Sequence, residues 1–329
     1  MSREFPYIDK NSERRMLFFR CRQIKDTIGG KIFADCVRCG DFLFRDGQYK
    51  PDEIELGEWT PFGENDYWGA REQYCWFKQT VTVPESFKGK KIVYEITPFP
   101  DSDWDDAAQQ FIIFVNGKMT QGIDSNHTFI FLTDKAEGGE SFDIALSAYC
   151  DDRNYRGQTK LASYIKTYDE DAATLFYDLD TLLDAADNFD EDDLNRVDII
   201  KAVNHAVNLL ELSTPDKEAY HSSLREASAY LHREIFGKAS PVTISSIGHT
   251  HIDTAYLWRL RQTRDKAGRS FATVLNLMKE YPEYLFADLF YIRLKKSEIY
   301  FNNPFFACDN IRANAKLKKE CKRNGKEQQ

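Results

Sequence analysis

At 329 residues, 42% hydrophobic and 29% charged, the chain has room for two or three globular units with apolar cores. A formal net charge of −9, with no basic stripe ahead of the C-terminal stretch, argues against nucleic acid as the main partner. No apolar run approaches the ~20 residues that a spanning helix needs, and the polar opening MSREFPYIDKNSERRM lacks the apolar centre of a secretory signal, so a cytoplasmic protein without membrane contact is expected.

Residues 1–45 read as a short helix and connecting loops, with Arg14 and Arg15 leading into Phe18 and Phe19. Cys36 and Cys39 form a lone CxxC without a second pair at structural-zinc spacing; with seven scattered cysteines in all, reduced thiols are expected. From 46 to 152 the pattern becomes short alternating strands separated by turns, at 76–83, 91–96, 111–115, 128–132 and 142–148. Asn116-Gly117 marks a hairpin, because both residues tolerate positive φ. Strands at this spacing, with no helical period between them, predict an antiparallel β-sandwich. Trp59, Trp68, Trp76 and Trp104 could stack on a sugar ring, but large aromatics in a small sandwich more often fill its core or an interface. Asp124 and His127, in the turn QGIDSNH, read as a hydrogen-bonded loop.

Between 165 and 238 the period is helical and predicts a connector of three helices. Leu175, Leu179, Leu182 and Leu183 mark the first, and Leu194, Val197, Ile200, Val207 and Leu210 the second. The third begins near Thr214-Pro215, carries Leu224, Ala227, Leu231 and Ile235, and stops at Gly237, the residue favoured just past a helix end. Asp187, Asp190, Glu191, Asp192 and Asp193 lack EF-hand spacing and read as a solvated helix start. His205, His221 and His232 are isolated on helices and receive no role.

Chemistry concentrates in residues 241–286. Val242, Ile244 and Ile247, between Pro241 and Gly248, predict a buried strand. His249, His251 and Asp253 follow at every second position, so an extended backbone would project all three to one face. That is metal-ligand spacing, although a polar strand end satisfied by hydrogen bonds gives the same pattern. A helix follows, with Thr263 as its expected N-cap and Phe271, Val274, Leu275 and Met278 on one face, before Tyr281-Pro282. Strand, polar turn and helix make a βα unit, and ligands of α/β domains gather at the carboxyl ends of strands.

GHTHIDTAYLWRL, continuing through QTRDKAGRSFATVLNLMKEYPEYLF, closely resembles the opening of the catalytic domain of glycoside hydrolase family 38 alpha-mannosidases, in the cytosolic and vacuolar branch. WFKQTVTVPESFKGKK, FVNGK and QGIDSNH resemble the galactose-binding-like sandwich at the N-terminus of the same branch. The resemblance implies a multidomain chain: sandwich, helical connector and the first βα unit of a truncated seven-stranded β/α barrel. It also implies a retaining, zinc-dependent enzyme that releases terminal mannose from oligosaccharides, with His251 and Asp253 as two of the zinc ligands. His249 matches the preceding histidine of the branch, and the resemblance does not make it a ligand.

After Phe286 the resemblance is expected to stop, leaving 287–329 as an aberrant basic tail with Lys316, Lys318, Lys319, Lys322, Arg323 and Lys326, too polar to fold alone. The nucleophilic aspartate and a further histidine of the family belong to barrel strands this chain is expected to lack, so no catalytic residue is nominated, and Asp288 and Asp309 have no matching context. Two protein ligands are fewer than catalytic zinc normally takes, which predicts weak metal binding and an inactive chain. Two other readings stay open: a metal-dependent amidohydrolase using His249 and His251, and a non-catalytic carbohydrate-binding or interaction fragment.

Overall fold

A computed structural model describes residues 10–55, 57–98, 109–151, 158–238, 245–253 and 259–288. The chain divides into two compact units, one of residues Met1–Ser245 with Ala267–Glu280, the other of Ser246–Lys266 with Tyr281–Gln329.

The first unit opens with α1 (Lys10–Gly29) and continues through ten strands: β1 (Phe33–Arg38), β2 (Phe42–Asp46), β3 (Thr60–Phe62), β4 (Tyr74–Thr82), β5 (Lys91–Thr97), β6 (Gln109–Val115), β7 (Lys118–Ile123), β8 (Phe129–Thr133), β9 (Ser141–Cys150) and β10 (Ala162–Tyr168). They form two antiparallel sheets, ordered β1-β10-β5-β8 and β3-β2-β4-β9-β6-β7. In β4 the alternate residues Cys75, Phe77, Gln79 and Val81 are all buried, as the two-residue period of a strand requires. The core between the sheets holds Trp68, Phe77, Ile92, Phe111, Ile113 and Leu146. Asn116 and Gly117 join β6 to β7 at φ values of 50° and 75°, the turn that the dipeptide predicts.

The sheets extend beyond the expected limits of 46 and 152, since β1 and β2 precede and β10 follows them. β1 escaped the pattern because all six of its positions stay partly or fully exposed; β3 is three residues long and carries Pro61, as an edge strand can. Two of the tryptophans behave as core residues: Trp68 is fully buried, and Trp76 packs with Ile54, Ile112 and Phe114 on the other face of the larger sheet. Trp59 donates its indole N–H to the Ile54 carbonyl and lies under the Lys78 ammonium, while Trp104 lies outside the described residues.

Three helices follow the sandwich: α2 (Glu170–Asp187), α3 (Leu194–Asn208) and α4 (Lys217–Leu231). Each starts on an aspartate whose carboxylate accepts backbone N–H groups of the first turn, Asp169 for α2, Asp193 for α3 and Asp216 for α4. The helix expected near Thr214-Pro215 thus begins at Lys217. Leu175, Leu179, Leu182 and Leu183 are buried as expected, but Leu194, at the solvent-facing start of α3, is 78% exposed. Gly237 ends the π-helical turn after α4 at φ −81°, not in the left-handed region. Its need for glycine is steric, since a Cβ there would stand 2.7 Å from the His232 carbonyl oxygen.

The N-terminal helix is the larger correction. α1 spans 20 residues and buries Phe18, Cys21 and Ile28 in the same apolar cluster as α2, α3 and α4. The connector is therefore a four-helix cluster into which the whole sandwich is inserted between the first and second helices. Arg15 and Arg22 of α1 pair with Glu191 and Asp187, so part of the acidic run serves this contact.

The last helix, α5 (Leu260–Glu280), contributes residues 267–280 to the first unit. There the helix lies close against β6 and β7. A Cβ on Gly122 would approach Arg269 Cβ to 2.9 Å and its Cα and carbonyl oxygen to 3.2 Å, and Gly268 faces Ile112 at similarly short range. Polar bonds flank this contact: Gly122 N–H donates to Thr273 Oγ1 (3.1 Å), and Asn276 Nδ2 to Gln121 Oε1 (3.0 Å). The expected face of Phe271, Val274, Leu275 and Met278 is only half-buried, with Ala267 and Ala272 the buried apolar positions. Small residues let the helix backbone, rather than long side chains, make the contact.

Candidate metal centre

The second unit is built on a pair of short parallel strands, β11 (Gly248–Thr250) and β12 (Phe286–Asp288), in register Gly248 to Phe286 and Thr250 to Asp288. Two expectations change here. The strand expected over 242–247 appears at 248–250; Val242 and Ile244 lie outside the described residues, and Ile247 is 55% exposed. The first residues of the expected tail, Ala287 and Asp288, are part of a paired strand; the rest of 289–329 lies outside the described residues. Gly248 is required by contact, because the Tyr284 hydroxyl occupies the space that a Cβ at 248 would fill.

Beyond β11, Ile252 is buried, while His251 before it is exposed and Asp253 after it partly so. That alternation brings His251 and Asp253 together, as the spacing predicts: His251 Nε2 lies 2.8 Å from Asp253 Oδ1. The imidazole is 78% exposed and the carboxylate 35%. His249 is also exposed on β11, but the described bond joins His251 and Asp253.

The first turn of α5 holds the aspartate from behind. Arg259 N–H donates to Gln262 Oε1 (2.6 Å), so a glutamine three residues into the helix reaches back to its N-cap, half of a capping box. Thr263, the expected N-cap, sits inside the first turn instead, and its own N–H bonds the Arg259 carbonyl. It is 1% exposed, and its hydroxyl donates to the backbone carbonyl of Asp253 at 3.2 Å. The sequence suggests a cap at Thr263 because a threonine ahead of an apolar helical period looks like one; Gln262 is the better signal.

An imidazole nitrogen and a carboxylate oxygen in contact at an accessible strand end are a donor pair that suits zinc. They remain two donors: among the described residues, no three His, Cys, Asp or Glu side chains gather as a metal would require. The other histidines have local duties. His127 Nδ1 bonds Asp124 Oδ1 at 2.9 Å, while the same carboxylate accepts the N–H groups of Asn126 and His127. Burial alone would raise the Asp124 carboxyl, but these bonds outweigh it and hold it below its usual range, and the carboxylate in turn raises His127. His205 stacks on Tyr230, His221 neighbours Asp171 and His232 bonds Asp178. Cys36 and Cys39 are free thiols, and burial pushes Cys39 up to about 11.

Two family models match the chain. Residues 48–176 match "Alpha-mannosidase, jelly roll domain", reaching past the sandwich into α2, and residues 241–295 match "Glycosyl hydrolases family 38 N-terminal domain", continuing beyond Phe286. Alpha-mannosidase 2C1 of Homo sapiens is 25% identical over 275 residues, 76% of this chain and 25% of that protein. Alpha-mannosidase G of Dictyostelium discoideum is 25% identical over 251 residues, 70% of this chain and 21% of that protein. Alpha-mannosidase of Saccharomyces cerevisiae (strain ATCC 204508 / S288c) is 32% identical over 131 residues, 36% of this chain and 12% of that protein. The chain thus spans about a quarter of the length of the first of these relatives.

Proposed function

We propose that this chain, whose residues 48–176 and 241–295 match an alpha-mannosidase jelly-roll model and a family 38 model, is the N-terminal part of a retaining, zinc-dependent alpha-mannosidase that releases terminal mannose from oligosaccharides in the cytoplasm. The observation that carries this reading is the contact between His251 Nε2 and Asp253 Oδ1 at an accessible strand end. These two groups would contribute one nitrogen and one oxygen to the metal. When bound, zinc would supply positive charge to polarise the sugar hydroxyls and stabilise charge that develops in the transition state. Ile252 anchors the segment in the interior, and Asp253 and His251 present their polar ends outwards.

A retaining mechanism needs a carboxylate nucleophile and a second carboxyl ~5–5.5 Å away. No such pair is assigned to this chain, and two protein ligands fall short of the three that hold catalytic zinc. We therefore propose that the 329-residue chain binds zinc weakly and does not turn over mannosides. No helix among the described residues is long and apolar enough to cross a membrane, which is compatible with the cytoplasmic reading.

Zinc titration against a chromophoric chelator, with an aryl alpha-mannoside assay alongside, tests the assignment. The expected result is weak binding lost in His251→Ala and Asp253→Ala, retained in His249→Ala, and no hydrolysis by the parent chain. Binding that requires His249 and ignores Asp253 would favour the amidohydrolase arrangement, and turnover by the chain alone would overturn its proposed inactivity.

A further inference from the structure

We propose that Thr263 is a positioning residue for Asp253, holding the aspartate's backbone so that its carboxylate faces His251; the inference rests on the zinc-site reading above and extends it to a residue that touches neither metal nor sugar. Threonine inside a helix usually returns its hydroxyl to a carbonyl in the preceding turn. Thr273 of the same helix does this, donating to Arg269 O at 2.9 Å. Thr263 does not: its hydroxyl crosses to the Asp253 carbonyl, ten residues back in the sequence. At 1% exposure, water does not compete freely for that donor.

The arrangement has a chemical purpose. Asp253 follows buried Ile252, and its carboxylate is 35% exposed, with its open side towards His251 Nε2 at 2.8 Å. The torsion that aims the carboxylate is set by the backbone on which it stands. A hydrogen bond to the carbonyl of that residue constrains the peptide plane, while the cap from Gln262 to Arg259 holds the start of the helix that carries Thr263. Groups that orient metal ligands from behind typically change metal affinity ~10–100-fold when removed.

The test compares Thr263→Val, which keeps the shape and removes the donor, with Thr263→Ser, which restores it, in the full chain. Two readouts are needed: zinc affinity by chelator competition, and the imidazole ¹⁵N shifts of His251 in the metal-free chain. Thr263→Val is expected to weaken zinc about tenfold and to move the His251 nitrogens towards those of a solvent-exposed imidazole, with Thr263→Ser close to the parent in both. Circular dichroism and the urea midpoint identify a variant that has lost its fold, in which case Thr263→Ala, which also removes the donor, is read by the same two measurements. Unchanged ¹⁵N shifts and zinc affinity in a folded Thr263→Val chain would overturn the proposal, as would a serine variant that fails to restore them. If the parent binds no zinc, the metal reading fails separately, and the His251 shifts still decide whether Thr263 orients the pair.

Discussion

Replacing Gly122 with alanine puts a methyl group where the structure has a helix backbone. The new carbon would stand 2.9 Å from Arg269 Cβ and 3.2 Å from both its Cα and its carbonyl oxygen. Two of those three atoms are main chain, so no rotamer change relieves the contact. Restoring a carbon separation of ~3.5 Å requires α5 to retreat by roughly half an ångström, enough to stretch the 3.1 Å bond from Gly122 N–H to Thr273 and the 3.0 Å bond from Asn276 to Gln121. Overpacking costs ~1–3 kcal/mol and each weakened hydrogen bond ~0.5–1.5 kcal/mol, while leaving glycine out of a strand returns ~0.5–1 kcal/mol. The net expectation is a destabilisation of about 1–5 kcal/mol. Urea unfolding measures it, and hydrogen exchange should show faster opening of amides in residues 267–280. Arg269→Ala should not rescue the variant, because the offending Cα, Cβ and oxygen remain. A neutral or stabilised Gly122→Ala chain, or rescue by Arg269→Ala, would refute the proposed backbone contact.

Asp216 accepts the N–H groups of Glu218 and Ala219 at the start of α4, so Asp216→Ala should cost ~1 kcal/mol in urea unfolding. The Asp124–His127 pair should make stability pH-dependent in two directions. The raised His127 contributes fully below the unfolded value of ~6.5 and loses its contribution as pH rises through the higher folded value; the depressed Asp124 contributes above ~3.9 and loses its contribution as pH falls through the lower folded value. The parent's advantage over Asp124→Asn should therefore be largest between those limits and shrink on either side, as a series of urea midpoints against pH would show.

What the sequence disclosed depended on the range of the interactions concerned. The hairpin at Asn116-Gly117 and the buried leucines of α2 follow from local rules, and both stand in the structure. Pairing of His251 with Asp253 was legible for the same reason, since it depends on three consecutive residues. β1 was not legible, because its pairing with β10 joins residues more than a hundred apart and buries little of its own side-chain surface. The length of α1 was hidden by a narrow apolar stripe whose partners arrive only after the sandwich. Thr263 was misread because a threonine near a helix start has two uses, and only the position of Asp253 in space distinguishes them.

The placement of the sandwich between α1 and α2 also bears on how the polypeptide is made. When α1 leaves the ribosome, its nearest helical partner lies beyond residues 30–169, a stretch of 140 residues. At ~5–20 residues per second of synthesis, that is a delay of about 7–28 s during which Phe18, Cys21 and Ile28 have no helical surface to cover them. A rearranged gene that moves the α1 segment from ahead of the sandwich to directly ahead of α2 would remove the wait.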